Sequence, residues 1–137
     1  MKQIIVEVGK TENNYSAHVV VGDGICVAVG NTFEELKQQM EEALKSHLEV
    51  LNDIGDYIPN EFTEKYELVY KFDAESILFY YNGIFTNAAL ERLTGINQRQ
   101  LQRYATGVTK PQSSQIKKIE AAFRSLGNEL TAINLIY

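Results

Sequence analysis

The run Leu90-Glu91-Arg92-Leu93-Thr94-Gly95-Ile96-Asn97-Gln98-Arg99-Gln100-Leu101-Gln102-Arg103-Tyr104 holds two short helical patterns separated by a glycine. Thr86 can cap the first, Asn87–Thr94, whose Leu90 and Leu93 point inward. Gly95 supplies the left-handed residue that a tight turn needs, Ile96 a buried contact, and Asn97 the cap of a second helix reaching Ala105. Thr106-Gly107 ends that helix and Pro111 punctuates. Ser113 opens another helix, on which Ile116, Ile119, Phe123 and Leu126 form an apolar stripe. Upstream, Asp73 can cap Ala74–Asn82, with Gly83 closing it as the residue after the C-terminus. Two helices joined by a glycine turn and backed by a third make a helix-turn-helix.

The second helix of the pair carries the chemistry. Ile96, Leu101 and Tyr104 lie on the side that must pack, while Gln98, Arg99, Gln102 and Arg103 lie on the other. No acid occurs from Asn97 to Lys110. Arginine pairs bidentately with guanine and glutamine with adenine, so this set suits a major groove. Thr109 and Lys110, together with the helix start at Thr86, are placed for phosphates. The residues expected at DNA are therefore Thr86, Asn97, Gln98, Arg99, Gln102, Arg103, Thr109 and Lys110. A plain solvated helix face is the competing explanation.

Charge divides the chain at about the same place. Residues 1–81 hold six lysines and fifteen acids, a net −9, and residues 82–137 hold seven cations against three acids, a net +4. The formal total is −5 over 137 residues. Opposite fields on two segments point to two different partners.

The acidic half reads as a small sheet with one helix. Gln3–Val8, Tyr15–Val21 and Ile25–Val29 are strand-like, and Gly22-Asp23-Gly24 is hairpin punctuation. Thr32-Phe33-Glu34-Glu35 is a capping box, followed by Phe33, Leu36, Met40, Ala43, Leu44, His47, Leu48 and Leu51 on one helical face. The helix should stop near Asn52–Gly55. A polar stretch broken by Pro59 leads to Tyr66–Phe72, which alternates like a half-buried strand. The order is β-β-β-α-β. The predicted fold class is α+β, with this module over residues 1–72 and an all-α helix-turn-helix module over residues 73–137.

Catalysis is not expected. Glu7 and Glu67 fall on the solvent side of their strands and Asp23 in a turn, which makes a poor Mg²⁺ cluster. His18 and His47 read as packed or surface side chains, and Cys26 as an inert buried thiol. With one cysteine and two histidines, neither an internal disulfide nor a Cys/His zinc cage is available. No cofactor is expected. No apolar run approaches the ~20 residues needed to cross a bilayer, and the N-terminus lacks a signal-peptide pattern, so a cytoplasmic location is expected.

The string Tyr15-x-Ala17-x-Val19 … Cys26-Val27-x-x-Gly30-Asn31-Thr32-Phe33-Glu34-Glu35-Leu36, with the acidic helix after it, resembles the N-terminal domain of HicB-type antitoxins. That family has a partial, degenerate ribonuclease H-like fold of the same β-β-β-α-β order. This chain has Gly24-Ile25-Cys26 where the family usually has Pro-Gly-Cys. The run from Leu90 to Pro111 resembles the helix-turn-helix of Cro-type repressors, in the version appended to HicB antitoxins. In that class the position four before the turn glycine is usually alanine, whereas here it is Glu91. Either the two helices stand further apart, or Glu91 turns outward toward Arg92 or Arg99.

The resemblance implies an antitoxin whose N-terminal domain neutralises a small basic HicA-like toxin that cleaves mRNA, and whose C-terminal domains hold operator DNA as a homodimer or higher homo-oligomer. A stand-alone repressor with an oligomerising or ligand-sensing N-terminal module is the alternative. Glu129–Tyr137 is β-branched and apolar after Gly127-Asn128, so a C-terminal strand pairing across a two-fold is expected. A helical continuation carrying Leu126, Leu130 and Ile133 on one face is the other reading.

Overall fold

The computed structural model describes all residues, Met1–Tyr137, and divides into two compact units, Met1–Asp73 and Ala74–Tyr137. The first has the order β1 (Lys2–Lys10), β2 (Tyr15–Val21), β3 (Gly24–Gly30), α1 (Phe33–Asp53) and β4 (Tyr66–Phe72). The second is all helical: α2 (Ala74–Tyr81), α3 (Asn87–Thr94), α4 (Gln98–Ala105) and α5 (Ser113–Thr131). The fold class is thus β-β-β-α-β followed by an all-α module.

The sheet runs β3-β2-β1-β4, antiparallel except for the parallel pair β1·β4. Val21 pairs with Gly24, so the hairpin turn is the two residues Gly22-Asp23, with Gly22 at φ +61°. Positive φ at the first central position is inexpensive only for glycine. Alternation sends Ile4, Val6, Val8, Ala17, Val19, Val21 and Cys26 to one face, where Leu36, Met40 and Leu44 of α1 cover them. Thr32 caps α1, its Oγ accepting from the Glu35 amide at 3.0 Å. Glu7 and Glu67 are on the opposite, open face, as the strand period predicts. The polar stretch before β4 is not a mere linker. A turn of 3₁₀ helix over Asn60–Phe62 drops Phe62 into the core, 5.4 Å from the Tyr66 ring.

Tyr70, half-buried under α1, donates to the Lys37 carbonyl at 3.4 Å. Burial first, and the Glu41 carboxylate second, push its pKa up to about 12. The folded state keeps the phenol neutral where the unfolded chain ionises it above about 10. The unfolded state then binds fewer protons, so stability is full below about pH 10 and falls as pH rises toward 12. Urea unfolding of this module should show that alkaline slope. Tyr70→Phe should reduce it without removing it, because burial raises Tyr66 as well.

α2 ends at Tyr81, one residue before the expected Asn82, and Gly83 follows in a tight turn without a left-handed φ, its amide donating to the Tyr80 carbonyl and the Ile84 amide to the Tyr81 carbonyl. One expectation for the helical unit is corrected. Gly127-Asn128 does not stop α5, and Glu129–Tyr137 is not a strand. The helix continues to Thr131, with the Ala132 amide donating to the Asn128 carbonyl and the Thr131 hydroxyl to the Gly127 carbonyl. Adding a residue to a formed helix gains a hydrogen bond without a new nucleus, which outweighs one glycine and a weak β preference. Residues 132–137 follow in neither helix nor strand.

Candidate nucleic-acid interface

The helical unit is organised around Leu78, Leu90, Ile96, Leu101, Tyr104, Ala105 and Ile119, with Phe85 and Phe123 packed on them. Thr86 caps α3, its Oγ accepting from the Ala89 amide at 3.0 Å. Gly95 ends α3 at φ +74°, and its amide donates to the Glu91 carbonyl at 2.8 Å. Thr94 is buried but satisfied: its hydroxyl donates to the Leu90 carbonyl and accepts from the Ile96 amide. These bonds fix the angle at which α4 leaves the turn. Asn97 caps α4 through its Oδ1, which accepts from the Arg99 amide at 2.8 Å. Gly107 closes α4 at φ +78°, with the Glu75 carboxylate against its Cα.

Glu91 turns to a partner other than Arg92 or Arg99. Its Oε1 accepts from the Gln98 amide at 2.8 Å, so the carboxylate sits on the first free donor of α4. A negative group there both satisfies an orphan amide and opposes the positive end of the helix dipole. An alanine could supply neither. Glu91→Ala should cost about 1 kcal/mol, as loss of a helix cap does, and Glu91→Gln should cost less because it keeps the acceptor. Chemical denaturation of the three proteins checks the order.

The side chains of α4 sort as the helical period requires. Leu101, Tyr104 and Ala105 are buried, and Gln98, Arg99, Gln102 and Arg103 are exposed along the opposite side. Two of the four are held by neighbours. Gln102 Oε1 accepts from Asn82 Nδ2 at 3.3 Å, and Arg103 Nε donates to Thr109 Oγ1 at 3.3 Å. Asn82 was not anticipated, because only the α2–α3 turn brings it to Gln102. Thr109 is half-buried beneath Arg103, whereas Lys110 is exposed. Thr86 and Asn97 are exposed, but their acceptor oxygens are committed to capping.

The acidic unit holds no comparable constellation. Glu7 lies 3.4 Å from His18 and Glu67 accepts from Gln3, both pairs on the open sheet face. Exposed pairs of this kind contribute little. Neither unit gathers three potential metal ligands, so Glu7, Asp23 and Glu67 do not form one site. Cys26 is buried, and burial raises its thiol pKa, which disfavours the reactive thiolate. No helix is long and apolar enough to cross a membrane. Comparison with known proteins finds no matching family model, and no curated protein or solved structure that is similar to the chain.

Proposed function

We propose that the helical unit binds duplex DNA with α4 in the major groove, and that the chain is the antitoxin and autorepressor of a HicAB-type pair. The observation that carries the DNA reading is α4 itself. Its apolar side is consumed by the core, leaving Gln98, Arg99, Gln102 and Arg103 exposed side by side on a turn fixed by Gly95. Guanidinium and carboxamide groups are the donors and acceptors that read base edges. Lys110 beyond α4 adds a cation for the backbone. A homodimer would present two such helices to a two-fold operator, whose half-sites lie about 34 Å apart.

The acidic unit is assigned to the toxin. Six lysines against fourteen acids over Met1–Asp73, a net −8, favour association with a small cationic ribonuclease, since complementary charge raises on-rate and selectivity. Two experiments test the two halves. Selection of bound duplexes from a random pool should return a palindrome, with affinity that falls as salt rises. Co-expression with the neighbouring small basic reading frame should yield a complex. A palindrome without a co-purifying basic protein would favour the stand-alone repressor, and an unenriched pool would end the DNA reading.

A further inference from the structure

The open face of the sheet is apolar where it need not be. Ile25, Val27 and Val29 of β3 are 59%, 67% and 61% exposed, and the patch continues through Val20 on β2 and Ile5 on β1. β3 is also an edge: it pairs with β2 alone, over seven consecutive residue pairs without a bulge. Its sequence, Gly24-Ile25-Cys26-Val27-Ala28-Val29-Gly30, has no charge and no proline. Those are the devices that keep edge strands apart, together with bulges. The opposite edge has them: β4 sets Glu67 and Lys71 outward, in register with Gln3 and Glu7 of β1. One edge is guarded and the other is not.

We infer that β3 pairs antiparallel with β3 of a second copy of this chain, about a two-fold axis through Val27, to make one continuous sheet. A two-fold centred there sets Val27 opposite Val27, Ile25 opposite Val29, Cys26 opposite Ala28 and Gly24 opposite Gly30. Every pair is apolar or small, and no like charges meet. The outward pairs are β-branched, the type that gains most from cross-strand contact. A cationic partner fits this strand poorly, because β3 offers it no acid. The covering helix adds area. α1 lies directly over β3: a Cβ at Gly30 would stand 2.5 Å from the Leu36 amide nitrogen, and Gly24 lies beside the His47 imidazole. The pairing therefore brings the partner's copy of this helix alongside as well. Two layers bury more surface than a lone strand would. None of these residues lies in the helical unit, so the pairing is independent of whether α4 binds DNA.

The test uses the full chain and cysteine placement. With Cys26→Ala as background, Val27→Cys should form a covalent dimer readily with oxidised glutathione, because the introduced thiol faces its own copy. Ile25→Cys in the same background, set opposite Val29, should cross-link at least about tenfold more slowly. Val27→Lys should halve the mass measured by sedimentation, while an unchanged far-UV spectrum shows that the fold persists. Equal cross-linking at both positions, a monomeric parent chain, or an unchanged mass in Val27→Lys would overturn the pairing. Loss of a co-purifying cationic protein in Val27→Lys, at unchanged mass, would give the face to that protein instead and overturn it too.

Discussion

Leu101→Ala is expected to unfold the helical unit under conditions in which the acidic unit stays folded. Leu101 is 2% exposed and belongs to the cluster of Leu78, Leu90, Ile96, Tyr104, Ala105 and Ile119. Truncating such a leucine costs about 2–5 kcal/mol, from lost transfer energy and the cavity left behind. A unit this small has a total stability near the low end of about 5–15 kcal/mol, so little would remain. The cluster under the sheet, from Ile4 to Phe62, shares none of these residues. Calorimetry should show one transition lowered by at least about 8 °C. Leu36→Ala, at the centre of the other core, should lower the complementary transition. A single transition moved equally by both variants would refute independent cores.

The parts legible in the sequence were those where one physical rule acts alone. Gly95 has to be left-handed for the chain to turn where the apolar period breaks, and it is; α4 stops at Thr106-Gly107, as the sequence reads. Thr32, Thr86 and Asn97 precede apolar-periodic runs and cap them. The strand period put Glu7 and Glu67 on the open face without reference to any neighbour. Reading failed where tertiary context decides. Phe62 is one aromatic in a polar stretch, and only the space beneath the sheet makes it a core residue. Glu91 looked like a misfit in a helix–helix seam because its partner, the Gln98 amide, lies seven residues on, across a turn. Gly127 has open space around its Cα, so nothing in the packing obliges the chain to turn there, and the helix carries through. At the candidate interface, the identities of the four exposed side chains were readable. Their supports, Asn82 under Gln102 and Thr109 under Arg103, were not.

Those supports shape the second large effect. If α4 reads bases, Arg99→Ala and Arg103→Ala should each lose about 1–3 kcal/mol on the selected palindrome and far less on random duplex. Arg103 is tethered through Nε to Thr109, so its two terminal nitrogens stay free and oriented for a bidentate acceptor such as guanine. Arg103→Lys should therefore fail to restore affinity, because an ammonium keeps the charge but cannot make the paired contact. Thr109→Ala should show a smaller loss of the same sequence-dependent kind. The glutamines divide differently. Gln102 already spends one of the two acceptor positions of its Oε1 on Asn82, while Gln98 keeps its whole carboxamide for adenine. Gln98→Ala should cost more discrimination than Gln102→Ala. Fluorescence anisotropy at two salt concentrations separates the roles: a phosphate contact loses affinity equally on both duplexes and flattens the salt slope by about one unit. An Arg99→Ala/Arg103→Ala double variant that binds the palindrome as the parent does would remove α4 from the interface, and with it the repressor reading.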